Sequence, residues 1–329
     1  MTQSNKVYIK AATQISMQQP LCEQWMDSPL SYDVPYVRSV EPAFREWLNP
    51  LDARRMGKIL KRALVTASSA MKKADVTQPE AIITGTGLGC IENTELLLNQ
   101  LCEEGEGMLK PTFFMQSTHN TISSLIAIQG KCHGYNSTYS HRSISFDSAL
   151  LDAFMQISLG DIQNALVTAN DEMTPSYFSI LQRAGFLGQP GQVPASEVSA
   201  ALMLDNHPEG ALCEVAAMDV CYSTIPQLPL EGVDAVMVGT NGTSQNDDFY
   251  TRLLGDGRQV TRLQYKHLFG ECYTASALGV YAAAHLLKKG EAPAHMVLNG
   301  DDDVPVKSIL LLNHSDLKNV SYVLLKAVV

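Results

Sequence analysis

The sequence of 329 residues lacks an excess of positive charge. It contains 24 Lys and Arg residues against 34 Asp and Glu residues, which gives a formal net charge of -10 at pH 7. Wholesale binding to nucleic acid or to an acidic membrane surface requires a positive field, so both are excluded as general functions. An acidic partner would have to find a local basic patch.

Long apolar runs are also missing. No segment approaches the roughly 18 to 20 consecutive apolar residues of a membrane span. The first residues, MTQSNKVYIKAATQIS, contain no apolar run long enough for a signal peptide. We therefore expect a cytoplasmic protein with no membrane partner.

The cysteine pattern excludes a disulfide framework and a zinc site. There are seven cysteines, an odd number, and no two of them form a C-x-x-C pair. Scattered cysteines of this kind are typical of reduced, mostly buried thiols. His267, His285, His295 and His314 likewise show no metal-ligand spacing, and we expect no metal and no cofactor.

Two catalytic motifs are absent as well. No G-x-S-x-G elbow occurs, which leaves a Ser-His-Asp hydrolase as a minor alternative. Gly85, Gly87 and Gly89 follow a predicted strand but do not form a G-x-G-x-x-G fingerprint. A nucleotide-binding oxidoreductase is therefore also a minor alternative, and the glycines favour a tight turn with close backbone approach.

Strand and helix patterns alternate along the chain, and a 45% hydrophobic content allows a large core. Buried strands are predicted at 7–15, 81–84, 165–169, 200–204, 213–220, 235–238, 296–298, 309–312 and 321–328, and helices from 52 to 71, at 93–101 and at 275–287. The pattern begins again after Pro208. This alternation predicts a layered α/β architecture with mixed sheets, whereas residues 18–50 have no assignable structure.

Residues 139–161, YSHRSISFDSALLDAFMQISLGD, form the central stretch of the sequence. A buried strand is predicted to end around Ile144, and Ala149, Leu150, Ala153, Phe154 and Ile157 then follow at helical spacing. A strand-to-helix turn places its side chains beside the unpaired N–H groups of a helix N-terminus, where nucleophiles and oxyanion holes are commonly built. We call this turn the elbow, and it carries serines and no cysteine.

Several blocks in a fixed order resemble β-ketoacyl-acyl-carrier-protein synthases, in particular the divergent set of aryl-polyene and flexirubin pigment pathways. They are GTGLGCIENTE at 85–95, PTFFMQSTHNT at 111–121, the elbow, and ALVTANDE at 165–172. In the second half, VGTNGTSQND at 238–247 is similar to the synthase block HGTGTPLND, and KHLFGE at 266–271 to the block KSxTGH. The resemblance covers nearly the whole chain.

The resemblance implies a thiolase-like fold, an αβαβα layered sandwich of two pseudo-symmetric halves that dimerises through its first half. We expect those halves to span 1–205 and 206–329. It also implies Claisen condensation, in which a cysteine takes the growing acyl chain and two histidines help to decarboxylate malonyl carrier protein.

This sequence departs from the family at the catalytic positions. Counting back from Gly160 puts Ser143 at the cysteine position, with Ser145 as the fallback if the loop shifts. The two histidine positions fall on Gly239 and Glu271. These three positions are therefore predicted to be degenerate.

Two other family positions persist, and one family loop is missing. Lys266 and Asp247 match the synthase blocks, and the spacing from Lys266 to Glu271 equals the family's spacing from lysine to histidine. The glycine-rich C-terminal loop of synthases is replaced by NHSDLKN at 313–319.

These departures remove the chemistry of condensation. A serine hydroxyl needs a positioned base to act as a nucleophile, and Gly239 offers none. Glu271, if ionised, would repel the negative charge that builds on a thioester oxygen. We therefore predict a non-condensing subunit that resembles a chain-length factor and pairs with an active synthase as a heterodimer, with a homodimer as the other possibility. Phe146 and Asp147 of the elbow are expected to help shape the acyl tunnel.

Two questions stay open from the sequence alone. An active synthase or acyltransferase could use Ser143 or Ser145 as nucleophile with His141 or His119 as base. The second question concerns a run of basic residues early in the predicted helix, which could dock an acidic acyl carrier protein or form a solvated helix face; it comprises Arg54, Arg55, Lys58, Lys61 and Arg62.

Overall fold

The computed structural model describes residues 5–105, 107, 109–255, 260–300 and 302–328. Its strands and helices alternate as the sequence predicts. Twelve strands occur in these ranges: β1 Val7–Ile15, β2 Ala81–Gly85, β3 Tyr135–Tyr139, β4 Asn164–Asp171, β5 Val198–Asp205, β6 Cys213–Cys221, β7 Ala235–Val238, β8 Thr261–Gln264, β9 Glu291–Ala292, β10 Val304–Pro305, β11 Ser308–Ser315 and β12 Asn319–Lys326.

The same described ranges contain ten α-helices. They are α1 Pro50–Ala53, α2 Lys58–Lys73, α3 Ile91–Glu104, α4 Pro111–Ser117, α5 Thr121–Gly130, α6 Ser145–Leu159, α7 Pro175–Arg183, α8 Ser244–Leu254, α9 Lys266–Phe269 and α10 Ser276–Lys289. None of the helices in the described part of the chain is both long and apolar enough to cross a membrane.

Ten strands form one mixed sheet in which the same topology occurs twice. The order is β3-β2-β4-β5-β1 in the first half and, read from the opposite edge, β8-β7-β11-β12-β6 in the second. In the first half, β2 pairs parallel with β3 and β4, and the pairs β4–β5 and β5–β1 are antiparallel. In the second half, β7 pairs parallel with β8 and β11, and the pairs β11–β12 and β12–β6 are antiparallel. The two sets join where β1 pairs antiparallel with β6. We propose the boundary at 205/206, which falls between β5 and β6.

Side-chain alternation along the strands separates the core into layers. On β4, Ala165 and Val167 face a central cluster with α6 and α10, whereas Leu166 faces an outer cluster with α2 and α5. On β11, Leu310 faces a third cluster with α8. The strands therefore read as continuous apolar runs because both of their faces are covered, and the layers match the predicted αβαβα sandwich.

Two predicted elements differ from the structure. The single helix from residue 52 is instead two helices, because Gly57 has an extended conformation immediately before α2. The strand predicted at 296–298 is wrong: Ala294–Met296 forms a 3-10 turn after Pro293, and Val297 N–H donates to the carbonyl of Ala294.

The segment 18–50, which the sequence left unassigned, packs across the central layer. Trp25 is fully buried, with its ring 5.5 Å from that of Phe269 and 5.9 Å from that of Tyr281. Its Nε1 donates to the Tyr281 hydroxyl at 3.1 Å. Gln18 Nε2 donates to the carbonyls of Leu30 and Leu268, so the segment is tied to the second half by polar as well as apolar contacts.

Candidate functional site

The elbow lies between β3 and α6, but its strand ends earlier than predicted. β3 ends at Tyr139, and Arg142–Ile144 form a 3-10 turn before α6 begins at Ser145. Arg142 has a φ of 48°, in the left-handed region that non-glycine residues seldom adopt. The turn is held close to β2, since a Cβ on Gly85 would lie 2.5 Å from Phe146 Cα.

The two elbow serines have different surroundings. Ser143 is half-buried and lines a cavity of about 450 Å³ at the elbow, which we call the elbow cavity. Ser145 is fully buried and lies outside that lining. Its hydroxyl donates to the carbonyl of Arg142 and accepts from His141 N–H, both at 2.7 Å. Ser145 therefore stabilises the turn by hydrogen bonds, and Ser143 is the elbow serine that lines the elbow cavity.

The two predicted histidine positions lie near the same lysine. A Cβ on Gly239 would lie 2.8 Å from the Tyr250 hydroxyl, 3.0 Å from Lys266 Cε and 3.1 Å from the Tyr265 hydroxyl. Lys266 in turn donates to both oxygens of Glu271, at 2.9 and 2.8 Å. Two tyrosines and a lysine thus occupy the space into which a side chain at position 239 would point.

Asp247 holds the loop that follows β7. Its carboxylate accepts from the N–H groups of Asn241 and Gly242 and from the amide of Asn246. Asn241 also donates to Glu271 at 3.0 Å. Asp247 therefore positions this loop beside the Lys266–Glu271 pair.

Phe146 and Asp147 do not reach the elbow cavity. Phe146 is fully buried in the central cluster. Asp147 accepts from Ser276, Asn313 and Ser321 at 2.8, 2.9 and 2.7 Å. Burial raises the pKa of Asp147, which these donors lower only in part. All three donors belong to the second half, so Asp147 joins the elbow to that half.

Four charged side chains line the elbow cavity: Arg142, Lys266, Glu271 and Asp316. Its apolar side includes Met173, Leu181, Phe186 and Leu187. The described lining contains one cysteine, Cys272, and one histidine, His314, so no cysteine in it is accompanied by two imidazoles. Burial raises the pKa of the Cys272 thiol well above its ordinary value, which keeps it a thiol at neutral pH.

His314 is the site residue that sequence reasoning missed. The amide nitrogen of Asn246 donates to the carbonyl of Gly239 and to Asp247, so its oxygen accepts from His314 Nε2 at 2.9 Å. Burial and the nearby Lys266 lower the pKa of His314 to about 3. His314 lies in the NHSDLKN segment, and the replacement of a family loop there was the available signal.

The two histidines considered as bases lie elsewhere. The His141 ring stacks on Tyr222, with centroids 5.2 Å apart. The His119 ring lies beside Gly89, because a Cβ on that glycine would be 3.2 Å from two of its ring carbons. Neither histidine lines the elbow cavity, so the described structure places neither of them to act as a base for Ser143.

The predicted basic run is divided by the structure. Arg54, Arg55 and Lys58 are exposed and Lys61 is half-buried. Including Arg62 in an exposed docking patch was wrong, because Arg62 is fully buried. The residue lies on the inner face of α2, where helical spacing turns it toward the core.

No group of three or more His, Cys, Asp or Glu side chains in the described ranges is arranged to hold a metal ion. The polar side chains that line the elbow cavity include the Lys266–Glu271 ion pair and the amides of Asn241 and Asn246.

A comparison with family models decides the classification. The model described as the N-terminal domain of beta-ketoacyl synthases matches residues 23–226, more than half of the chain. The chain belongs to the beta-ketoacyl synthase family. No curated protein matches it.

Solved structures similar to this beta-ketoacyl synthase family member support the fold. The ishigamide ketosynthase/chain length factor matches with a TM-score of 0.80 and 18% identity, over 99% of this chain and 100% of that one. A type II polyketide synthase acyl-carrier protein in complex with its ketosynthase and a hexaketide, and a beta-ketoacyl synthase from Burkholderia phymatum STM815, each match with a TM-score of 0.79 and 13% identity over 99% and 100%. At these identities the likeness establishes a thiolase-like ketosynthase fold.

Acid is expected to destabilise this synthase-family chain through its buried histidines. Burial lowers the pKa of His314 to about 3 and that of His267 to about 4, below the unfolded value of about 6.5. The unfolded state therefore binds more protons below pH 6.5, and stability falls as the pH drops through that window toward these values. Between pH 6.5 and 5, His314 accounts for up to about 2 kcal/mol.

Urea unfolding at pH 7 and pH 5 measures this effect. His314→Gln should reduce the loss on acidification, whereas the exposed His133→Gln should leave it unchanged. An equal loss in both variants and in the wild type would contradict the assignment to His314.

Proposed function

We propose that this chain is a non-condensing subunit of the chain-length-factor type that pairs with an active ketosynthase in type II fatty acid or polyketide biosynthesis, such as an aryl-polyene-like pathway. The observation that carries the proposal is the arrangement around Lys266. Where two imidazoles would be needed, the chain has Gly239, whose side-chain space is filled by tyrosines, and Glu271, which is paired with Lys266.

The charges at these positions oppose condensation. Decarboxylation builds negative charge on a thioester oxygen, and loss of one comparable hydrogen-bond donor costs on the order of 100-fold or more in rate. Glu271 contributes negative charge there, and its ion pair with Lys266 occupies the ammonium group that lies closest to these two positions. A serine hydroxyl needs a positioned base, and neither His119 nor His141 lines the cavity beside Ser143, so acyl transfer to Ser143 is not favoured.

The first-half edge of the sheet supports the choice of partner. Among the described strands, β3 pairs with β2 alone and forms an edge of the sheet, which is where another chain can add backbone hydrogen bonds. Exposed apolar side chains lie on the elements at this edge, including Ile128, Tyr135, Met155 and Leu159. One similar structure is named as a ketosynthase/chain length factor. A homologous ketosynthase is therefore our proposed occupant, with a homodimer as the competing assembly.

The exposed basic residues give this pair a candidate docking site for an acidic acyl carrier protein. Arg54 and Arg55 lie in the turn between α1 and α2, and Lys58 begins α2. All three are exposed, and no salt bridge among the described residues uses them. One similar structure is named as an acyl-carrier protein in complex with its ketosynthase, which supports the choice of an acyl carrier protein as partner.

The test is a condensation assay on the purified chain, on a candidate Cys-His-His ketosynthase encoded beside it, and on the co-purified pair. We expect no product from the lone chain and product from the pair. Ser143→Ala should leave the activity of the pair unchanged, and mass spectrometry should detect no acyl adduct on Ser143. Condensation by the lone chain, or an acyl-Ser143 adduct, would overturn the proposal.

Restoring the family residues should fail to restore condensation. In the triple variant Ser143→Cys, Gly239→His and Glu271→His, the new imidazole at 239 would collide with the hydroxyls of Tyr250 and Tyr265. We expect the purified variant to form no condensation product, and Gly239→His alone to lower the midpoint of thermal unfolding. The double variant Ser143→Cys, Glu271→His is the control that omits this collision. Measurable condensation by the folded triple variant would contradict the steric argument.

A further inference from the structure

The charges around the elbow cavity are paired with one another. Lys266 Nζ lies 2.9 and 2.8 Å from the two oxygens of Glu271, in a pair whose side chains are only 8% and 14% exposed. Arg142 Nη1 lies 2.8 Å from Asp316 Oδ2, and both of these side chains are well exposed. One pair therefore lies in the interior of the cavity, and the other lies at its solvent side.

Two further groups of the lining, His314 and Cys272, are uncharged at neutral pH. His314 is neutral, with its Nε2–H used by Asn246, and Cys272 is a protonated thiol. Two positive and two negative side chains thus remain, and their sum is zero. Every charge in the described lining has a partner of the opposite sign.

A charged ligand would have to enter this site without a counter-charge. In the interior of the cavity it would either stay unpaired or separate Lys266 from Glu271, and both routes carry a large desolvation cost. An uncharged ligand meets Met173, Leu181, Phe186 and Leu187 and leaves both pairs intact. The volume of about 450 Å³ lies within the range of small-molecule sites, roughly 300 to 1,000 Å³.

We propose that the elbow cavity binds an uncharged, largely apolar acyl or aryl group non-covalently and rejects carboxylates such as a malonyl group. The inference rests on the proposed non-condensing function, because a condensing site would have to accept a malonyl thioester. The cavity then binds a ligand without reacting with it, and its balanced charges select uncharged ligands.

Calorimetric titration of the purified full-length chain at pH 7.5 with 4-butylbenzamide and 4-butylbenzoate tests the inference. The two probes have nearly the same shape and differ in charge. We expect the amide to bind about tenfold more tightly or better. Equal affinity, tighter binding of the benzoate, or no binding of either probe would overturn the proposal.

Breaking the interior pair should reverse the preference. Glu271→Gln leaves Lys266 without its carboxylate, so the benzoate should then bind more tightly than the amide. Asp316→Asn frees Arg142 in solvent and should change the ratio by less than about threefold, because an exposed charge is screened. A folded Glu271→Gln chain that keeps the amide preference would contradict the role of the pair.

A second variant covers the case in which Glu271→Gln does not fold. Lys266→Met combined with Glu271→Gln removes both charges and should keep the amide preference of the wild type; a folded double variant that prefers the benzoate would overturn the proposal.

The outcomes also separate the two claims. Condensation by the lone chain would defeat the proposed function, whereas benzoate binding without condensation would defeat only the selectivity of the cavity.

Discussion

Replacement of Arg62 with methionine is expected to lower the free energy of unfolding by about 3 to 5 kcal/mol, because it leaves buried carboxylates without their counter-charge. Arg62 Nη1 lies 2.8 Å from Glu197 Oε2, and its Nη2 lies 3.7 Å from Glu172 Oε2. The same guanidinium also donates to the Ser39 hydroxyl. Methionine fills much of the same volume, so lost charge and not lost packing should dominate.

The pKa values of the two glutamates give this prediction a pH dependence. Burial raises the pKa of Glu172 to about 7, even with Arg62 nearby. Burial alone would raise the pKa of Glu197 as well, but Arg62 and the backbone N–H groups of Ser39 and Met173 lower it below its ordinary value. Without Arg62 both carboxyls would protonate more readily in the folded state. The deficit of the variant should therefore be larger at pH 8 than at pH 6.

Urea unfolding at these two pH values, with circular dichroism as the signal, measures the effect. Arg54→Met is the matched control, because Arg54 is exposed in the turn before α2 and should change stability by less than about 0.5 kcal/mol. Adding Glu197→Gln to Arg62→Met should recover part of the loss. A loss that is the same at pH 6 and pH 8, and unaffected by Glu197→Gln, would contradict the electrostatic explanation.

Truncation of Trp25 to alanine is expected to cost about 3 to 5 kcal/mol of unfolding free energy. The ring is fully buried between the irregular segment and the second half, with Phe269 and Tyr281 as its aromatic neighbours. Its removal leaves a cavity, and Tyr281 loses the donor Nε1, although it still donates to the carbonyl of Cys22. The segment 18–50 should then loosen and become more sensitive to proteolysis.

The chain has only two tryptophans, which makes the measurement direct. Trp47→Ala is the matched control, because Trp47 is half-buried and lies outside the central cluster. Each variant retains one tryptophan whose fluorescence reports unfolding. Trp25→Phe should keep most of the stability. Equal losses for Trp25→Ala and Trp47→Ala would contradict the larger contribution assigned to the buried ring of Trp25.

Much of the elbow and its neighbourhood could be predicted from local patterns. The helical spacing of Ala149, Leu150, Ala153, Phe154 and Ile157 indicated the inner face of α6; four of these residues are fully buried, and Phe154 is half-buried against the same cluster. The glycines after β2 indicated close backbone approach, which Gly85 makes to Phe146. The end of the preceding strand was misjudged, because Arg142–Ile144 form a 3-10 turn whose positive φ at Arg142 leaves no periodic signal in the sequence.

The sequence by itself indicated much of the alternation of strands and helices and the buried face of α6, because periodicity is a local property of the chain. The degeneracy of Ser143, Gly239 and Glu271 stays a prediction from motif spacing. Only the tertiary structure decided that Ser143 and not Ser145 lines the elbow cavity. It also decided that Arg62 lies in the core against Glu197, a residue 135 positions away. A buried charge is stabilised by whichever partner the fold brings beside it, and that partner is invisible until the distant strands and helices have packed.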